Sequence, residues 1–507
     1  MVAAYPSRPM HLFLAAATTA SYRPFLVLAV AVAFIILAIT RWKLHAFLAL
    51  ILAAYVAGFL TPEFSQASID RLPAALRADA QANSWVAAVE LTTVEFGSAA
   101  GSIAISIGLA SIIGLCLMES GGADKVVRRF LAVAGEKRAG LALLASTYFL
   151  SIPIFFDTMF MLMVPLARAL RLRTGHSYLL YLMAICCAGV ITHSLTVPHP
   201  GPLAMVDNLH VDPGLSLFWG IAAGILPCLI GYGFITWLNR RMDVPLRETP
   251  GAPLSDLQKI ADKPESELPS FVWSIAPVLL PIAMIGFGSL FKVMAGYPGA
   301  IQLWGGPESF ARFASVASFV GNKNIALMVG AAIAIGVLAR QKRLPFTQLG
   351  GLLEAPLGTG AVIILITAAG GAFGGMLRHA GVGDAIKLIA TQYSLNVLVL
   401  GWLTAFVIRI AQGSATVAML TTSSIIWPLI DPVAGQVLPY HTMYLFLAIG
   451  FGAFGCSWMN DSGFWVVSKL SGMTERETLK SWTVMVTVLS VAGLLLTFIA
   501  SRLLPLV

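Results

Sequence analysis

Most residues in this sequence that could bind a ligand or carry a proton lie in four polar interruptions of otherwise apolar segments. The first, residues 151–157 (SIPIFFD), combines a helix-breaking proline, two phenylalanines and the carboxylate of Asp157. A carboxylate inside a membrane costs several kcal/mol unless it is paired or protonated, so Asp157 is a candidate functional group. It could instead cap a helix that begins at Thr158.

The second interruption, residues 192–202 (THSLTVPHPGP), contains three prolines, one glycine and two histidines. Proline lacks an amide hydrogen and breaks helices, so backbone groups in this segment are freed from helical hydrogen bonds. His193 and His199 titrate near neutral pH and could relay a proton or bind a carboxylate. A histidine within a helix can equally be a packed core residue.

The third interruption, residues 409–416 (RIAQGSAT), lies in the second half of the chain. Gly413 lets the backbone approach a ligand. Ser414 and Thr416 offer hydroxyls at the start of a second helical arm, where free amides favour an anion. Arg409 is always charged and could bind a substrate carboxylate or form a salt bridge with a protein acid, for which Asp157 and Asp461 are the candidates.

The fourth interruption, residues 456–463 (CSWMNDSG), contains Asp461, a second candidate proton carrier that could also cap the helix around Phe464. The candidate binding residues of the four interruptions are Ser151, Phe155, Phe156, Asp157, Thr192, His193, His199, Gly201, Arg409, Gln412, Gly413, Ser414, Thr416, Asn460, Asp461 and Ser462. The candidate proton carriers are Asp157, His199 and Asp461. The sequence contains no HExxH, no GxSxG and no paired metal-ligand spacing, so neither an enzyme nor a metal or cofactor site is expected.

The segments between these interruptions predict an all-α polytopic membrane protein. Of 507 residues, 58% are hydrophobic and 11% are charged, whereas an average soluble domain has about 25% charged residues. The apolar residues form blocks of about 17–25, the length that crosses a bilayer as a helix. The net charge of +8 lies in short Lys and Arg clusters between these blocks, which indicates orientation by the positive-inside rule rather than nucleic-acid binding. The five cysteines lie in apolar segments and are expected to be reduced packing residues.

The candidate spans are residues 25–40, 44–60, 98–118, 177–197, 215–238, 270–292, 323–340, 355–376, 438–458 and 482–503. Two further blocks, about 138–172 and 394–430, are too long for one crossing and are interrupted near their middles, which predicts re-entrant hairpins. The N-terminus has no clear cleavage site, so the first block is expected to remain as a span. All basic clusters lie on one side of the membrane if both hairpins enter and leave by the same face, and the termini are then outside.

This layout gives the two halves of the chain opposite orientations, with residues 1–238 and 270–507 as inverted repeats and 239–269 as a cytoplasmic linker. A short internal similarity, between CLMESGGAD (116–124) and MLRHAGVGD (376–384), supports the duplication. Inverted repeats with broken helices are typical of alternating-access transporters, whose substrate sites lie near the membrane midplane. The alternative is that the match reflects small residues common in membrane helices.

Several motifs resemble the gluconate permease family of proton symporters. They are EFGSAAGS (95–102), ESGGADKV (119–126), IPIFFD (152–157), VPHPGP (197–202), GGAFGGMLRHAGVGDAI (370–386), QGSATVAMLTT (412–422) and NDSGFWVVSKL (460–470). The resemblance implies proton-driven uptake of a small organic anion, such as gluconate or a related sugar acid, across a bacterial inner membrane. It also implies the ion transporter superfamily, whose known folds have paired hairpins and broken helices and move by an elevator mechanism, often as dimers.

The family often has Glu where this chain has Asp157, so the resemblance implies that the substrate differs in size from gluconate. Some members carry D-serine or glycerate, and dicarboxylate members of the superfamily are coupled to sodium. The expected partners are therefore a small organic anion, a coupling proton and membrane lipid, with a homodimer as one expectation. Sodium coupling, a D-serine or glycerate carrier, a channel and an intramembrane enzyme are the alternatives.

Overall fold

The apolar blocks of the sequence form helices in the computed structural model. The structure describes residues 23–247, 264–295, 298–343, 345–382, 385, 396–430, 438–459 and 461–506. The helices of the first half are α1 (Arg23–Thr40), α2 (Ala46–Phe59), α3 (Gln66–Ile69), α4 (Ala74–Ala82), α5 (Ser84–Glu119), α6 (Gly122–Ala134), α7 (Ala139–Leu150), α8 (Phe156–Thr174), α9 (Tyr178–Leu195), α10 (Pro200–Asn208) and α11 (Pro213–Arg241). Those of the second half are α12 (Phe271–Met294), α13 (Pro298–Leu303), α14 (Pro307–Val320), α15 (Lys323–Lys342), α16 (Phe346–His379), α17 (Val397–Gln412), α18 (Ala415–Ile430), α19 (Met443–Ala453), α20 (Ser462–Ser471), α21 (Glu475–Thr478) and α22 (Val484–Leu503).

Within the described ranges, seven helical segments are long and apolar enough to cross a membrane by length and composition. They are Ser84–Glu119, Tyr178–Asn208, Pro213–Arg241, Phe271–Lys292, Lys323–Lys342, Gly360–His379 and Glu475–Leu503. Shorter apolar helices of 10–17 residues add to them, among them both arms of the second predicted hairpin. The predicted all-helical, polytopic architecture is confirmed.

Two predicted spans lie within longer helices, and one is wrong. Residues 98–118 lie within α5, which has 36 residues, and 355–376 lie within α16, which has 34. At 1.5 Å per residue each is about 50 Å long and exceeds a hydrocarbon core of about 30 Å, so the ends project or the helices tilt. The predicted span 438–458 contains only the short helix α19, because the chain leaves the helix after Ala453 and Cys456 adopts a left-handed φ of 51°.

Both predicted hairpin blocks consist of two helices joined near the expected point. In the first, α7 and α8 are joined by residues 151–155. In the second, α17 and α18 are joined by Gly413 and Ser414. Gly413 has a φ of 78°, a conformation that glycine adopts without steric cost, and its N–H bonds the carbonyl of Arg409 at 2.9 Å to end α17.

Each hairpin is followed by a broken helix. Residues 196–199, with a cis peptide between Val197 and Pro198, separate α9 from α10, and residues 454–461 separate α19 from α20. The order of long helix, hairpin, broken helix and long helix therefore occurs twice, from α5 to α11 and from α16 to α22. The inverted orientation of the halves and their boundaries at 238 and 270 stay predictions.

The long helix α16 passes between α5 and α18 and makes extensive contacts with both. Two neighbouring glycines permit this: a Cβ at Gly374 would clash with Ser424 of α18, and a Cβ at Gly375 would lie 2.6 Å from the Glu95 carboxylate of α5. Side chains at these positions would separate the helices. The second hairpin is thereby held directly against the long helices.

Asp212 joins the start of α11 to the end of α12. Its Oδ1 caps α11 by accepting from the Gly214 and Leu215 amides at 2.9 and 3.0 Å, and it accepts from Ser289 at 2.5 Å. Its Oδ2 accepts from Lys292 at 2.6 Å. Burial would raise the pKa of Asp212, but these hydrogen bonds, led by that from Lys292, lower it below its usual range.

Arg168 and Arg247, two of the basic residues between the apolar blocks, join separate elements of the fold. Arg247, at the start of the predicted linker, donates to both oxygens of the Glu477 carboxylate at 2.7 and 2.9 Å. The buried Arg168 of α8 donates to the Arg247 carbonyl at 2.8 Å. The first residues after α11 are therefore bound to both the first hairpin and α21.

Candidate functional site

The two hairpin tips and the two helix breaks line one cavity of about 220 Å³. The lining residues are Phe155, Phe156, Asp157, Val190, His193, Pro200, Ile363, Arg409, Gly413, Ser414, Ala415, Thr416, Phe454, Asp461, Gly463 and Trp482. The four polar interruptions, which are up to about 300 residues apart in the sequence, therefore meet in one place.

Nine of the sixteen predicted site residues line this cavity: Phe155, Phe156, Asp157, His193, Arg409, Gly413, Ser414, Thr416 and Asp461. Four others, Ser151, Thr192, His199 and Gly201, are buried outside the lining. Gln412 ends α17 and Ser462 begins α20, but the described structure does not extend to their side chains, and Asn460 lies outside the described residues.

Four helices begin at the cavity wall. Phe156, Pro200 and Ala415 are the first residues of α8, α10 and α18, and Gly463 is the second residue of α20. The first amides of a helix have no intrahelical acceptor, and the helix dipole adds about half a positive charge at this end. Ser414 Oγ accepts one such amide, from Val417 at 3.3 Å. The backbone thus makes the cavity favourable for a negative charge.

Arg409 and Asp461 form a buried ion pair at the cavity wall, with 4% and 5% of each residue exposed. The Arg409 guanidinium donates to Asp461 Oδ2 and to the Gly413 carbonyl. The Ser457 hydroxyl also donates to Asp461 Oδ2, and the Gly463 amide donates to Oδ1 at 3.0 Å. Of the two partners predicted for Arg409, the structure therefore selects Asp461, which also caps α20 as predicted.

Asp157 stands apart from this network. The prediction that it could cap a helix beginning at Thr158 is wrong, because α8 begins at Phe156 and Asp157 lies inside its first turn. Its side chain is exposed towards the cavity and makes no hydrogen bond or ion pair with any other residue that the structure describes. It is therefore a carboxylate that can reach a bound ligand directly.

The two histidines differ in their access to the cavity. His199 is 1% exposed, and its Nε2 donates to the Ser151 carbonyl at 2.7 Å. Its Nδ1 is buried without a hydrogen-bond partner in the described structure, so a proton there would bury an uncompensated charge. His193 lines the cavity, and its ring centroid lies 4.7 Å from that of His199. His199 thus supports the first hairpin tip through its hydrogen bond to the Ser151 carbonyl.

The other residues behind the cavity hold its walls together. Ser151 and Thr192 share a hydrogen bond between their hydroxyls, which joins the first hairpin tip to α9. Gly201 faces Met419 of α18 so closely that a Cβ would clash with the methionine side chain. These residues position the lining.

Sequence reasoning missed seven lining residues: Val190, Pro200, Ile363, Ala415, Phe454, Gly463 and Trp482. Gly463, Pro200 and Ala415 lie within the interruptions, so their positions in the sequence could have identified them as lining residues. Trp482 donates to Ser457 at 2.7 Å and so supports the hydroxyl that binds Asp461. Ile363 and Trp482 lie within apolar spans, where nothing in the local sequence distinguishes them.

A second cavity of about 380 Å³ lies between α5, α16, α10 and α18, with Glu95 in its wall. Glu95 is 7% exposed and accepts from Arg71 at 3.1 Å and from Arg378 at 3.0 Å, and its Oε1 lies 3.1 Å from His379 Nε2. The EFGSAAGS motif that contains it therefore includes a buried charge. The signal was available, since an acid within an apolar block is costly unless it is paired.

The comparisons with known proteins agree with this architecture. The model of the GntP family permease matches residues 79–503. A gluconate permease of Pseudomonas aeruginosa is 31% identical over 92% of this chain and 95% of its own length. The D-serine transporter DsdX of Escherichia coli is 29% identical over 94% of this chain and 97% of its own length.

Among solved structures, MtrF of Neisseria gonorrhoeae superposes with a TM-score of 0.60, covering 92% of this chain and 96% of that chain. Its sequence is 15% identical, so the similarity concerns the fold alone.

The relatives confirm the resemblance to the gluconate permeases and the prediction that the chain is a transporter and not an enzyme. The family match covers well over half of the chain, and the protein is accordingly a multi-pass integral membrane permease that belongs to the GntP family.

Proposed function

We propose that this permease is a secondary active transporter that couples uptake of a small hydroxy-carboxylate, in the class of gluconate, to a proton. The main support is that four helix N-termini face the same cavity as the Asp157 carboxylate, which has no partner among the described residues. The gluconate permease and D-serine transporter among the relatives support this substrate class. A relative named as an inner membrane permease supports a bacterial inner-membrane location.

The charges of the cavity favour one anion at a time. Arg409 and Asp461 neutralise each other, so the remaining positive potential comes from the helix N-termini, about half a charge each before screening. The Ser414 and Thr416 hydroxyls can donate to a carboxylate or to substrate hydroxyls. A cavity of about 220 Å³ lies below the range of about 300–1,000 Å³ typical of drug-sized ligands, which suits a short acid.

We assign the coupling proton to Asp157. An ionised Asp157 would repel a substrate carboxylate in the same cavity, and protonation removes that repulsion, so each ligand raises the affinity for the other. The other two candidates are less suited. Asp461 already accepts from Arg409 and two further donors, and His199 is committed to the Ser151 carbonyl.

Sodium coupling is the competing mechanism. The hairpin-tip carbonyl of Gly413, a natural cation ligand, is already bound by the Arg409 guanidinium. This observation favours the proton.

Uptake by purified protein in liposomes tests the proposal. An inward proton gradient is expected to drive accumulation of labelled gluconate or a shorter hydroxy acid, and an inward sodium gradient at equal pH is expected to have no effect. Competition by unlabelled sugar acids, glycerate and D-serine ranks the substrates. Absence of stimulation by external acid would show that proton coupling is wrong, and stimulation by sodium would establish the alternative.

We further propose that the two halves are inverted repeats and that the hairpins and broken helices move together as an elevator, in a homodimer. Labels at Val407 on α17 and Gly101 on α5 report this movement, because Val407 is exposed and a side chain at Gly101 would meet nothing within 4 Å. The distance between the labels is expected to change when substrate is added. If the distance between the labels stays the same under every gradient, the proposed elevator movement is contradicted. A molecular mass of one chain in mild detergent would contradict the dimer.

A further inference from the structure

A cleft of about 520 Å³ opens between α12 and α15, at the N-terminal end of α12 and the C-terminal end of α15. It lies far along the chain from both hairpins and shares no lining residue with the substrate cavity. Because it is formed at the ends of two membrane-spanning helices, it lies at one surface of the bilayer.

The two helices are in close contact near the middle of α15, where a Cβ at Gly330 would lie 2.8 Å from the Pro277 carbonyl of α12. Gly336 lines the cleft closer to the end of α15, and a Cβ there would meet nothing within 4 Å. Gln341 closes the outer end of the cleft by donating to the Glu267 carbonyl at 2.6 Å.

The walls combine apolar and cationic groups. Ile333, Val337 and Trp273 supply an apolar surface, and 55% of Trp273 is exposed. Arg340 lines the cleft and forms no hydrogen bond or ion pair within the described ranges, although its neighbour Lys342 is paired with Glu119. A guanidinium above an apolar wall, next to a tryptophan, matches a lipid with an anionic headgroup.

We propose that this cleft binds one anionic phospholipid. The phosphate accepts hydrogen bonds from the Arg340 guanidinium and from the free amides in the first turn of α12, both of which favour phosphate. One acyl chain lies along Ile333 and Val337. The basic clusters predict that this end faces the cytoplasm, where the leaflet contains anionic lipids.

Native mass spectrometry of the full-length protein, purified in mild detergent and incubated with phosphatidylglycerol or phosphatidylcholine, tests this site. The wild-type chain is expected to retain one phosphatidylglycerol and to prefer it at least tenfold over phosphatidylcholine. Gly336→Phe fills the cleft, and Arg340→Gln removes the charge. Each is expected to lower phosphatidylglycerol occupancy at least tenfold.

Two variants are matched controls. Gly233→Phe places the same side chain at a glycine of α11 whose Cβ would also meet nothing within 4 Å, and Arg240→Gln removes an exposed arginine near the end of α11. Both are expected to retain the lipid, and a monodisperse elution profile establishes folding of every variant. Equal retention by Gly336→Phe and Gly233→Phe would overturn the proposal. Thermal stabilisation by inorganic phosphate equal to that by the lipid would also overturn it, because the cleft would then be an anion site only.

Discussion

Substitution of Asp157 by Asn separates the proposed proton from the proposed substrate. Asparagine has nearly the shape of protonated aspartate but cannot ionise. Because Asp157 makes no hydrogen bond or ion pair with other described residues, the change removes a charge from the cavity without breaking a contact there. The variant should therefore bind substrate as the protonated wild type does, at every pH.

The size of the effect follows from the size of the cavity. A volume of about 220 Å³ equals that of a sphere about 7.5 Å across, so two negative charges in it lie about 4–7.5 Å apart. At an effective dielectric constant of about 20, their repulsion is about 2–4 kcal/mol. This corresponds to about 40- to 1,000-fold in affinity. Ionisation of Asp157 should weaken binding of a carboxylate by that factor.

The assay is equilibrium binding of radiolabelled gluconate, or of the best substrate found in the competition series, to detergent-solubilised protein between about pH 5.5 and 8.5. The substrate carboxylate stays ionised across this range. Because a bound carboxylate favours protonation of Asp157, the wild-type Kd should rise with pH, while the Kd of Asp157→Asn should change less than about threefold. Asp157→Glu retains an ionisable carboxylate and should keep the pH dependence.

In liposomes, Asp157→Asn should exchange labelled for unlabelled substrate but should not accumulate substrate when an inward proton gradient is imposed. If the variant keeps the wild-type pH dependence of Kd, then another group carries the proton and the assignment to Asp157 is refuted. If the wild-type Kd does not vary with pH, the electrostatic argument itself is refuted.

Three other substitutions test the charges that the structure pairs. Asp461→Asn should lower the free energy of unfolding by about 3–5 kcal/mol, because it leaves Arg409 buried without its carboxylate. The double change Arg409→Met with Asp461→Leu should lower it by less, since neither charge remains. A thermal melt in which the double variant is no more stable than the single one would contradict this. Asp212→Asn should lower the free energy of unfolding by about 1 kcal/mol at pH 7, because it weakens the pair with Lys292. Folding lowers the pKa of Asp212, so this contribution is present above about pH 4 and is lost as the pH falls through the folded pKa. The melting temperatures of the wild type and the variant should therefore converge in acid. Glu95→Gln should lower the melting temperature by the equivalent of about 2–3 kcal/mol, since it leaves two arginines without their carboxylate; an unchanged melting temperature would show that the cluster does not stabilise the fold.

Much of the local structure could be predicted from the sequence because it depends on neighbouring residues. Apolar blocks of span length form helices since the bilayer cannot hydrogen-bond the backbone. The hairpins at 138–172 and 394–430 follow from the proline and glycine that interrupt them, and α7, α8, α17 and α18 begin and end within a few residues of those limits. The prediction of a span at 438–458 failed because the apolar composition continues past Ala453, whereas the helix ends there.

The sequence by itself determined that polar groups would interrupt four apolar segments, and which residues those were. Only the tertiary structure decided their contacts. Arg409 and Asp461 are 52 positions apart, and their pairing depends on how α17 packs against α19 and places the hairpin tip against the break before α20. The same packing leaves Asp157 facing the cavity, turns His199 towards the Ser151 carbonyl and adds Trp482 to the wall. Charges and hydrogen bonds act over a few ångströms in space, so residue types and spacing predicted which groups could act, and packing decided which of them meet.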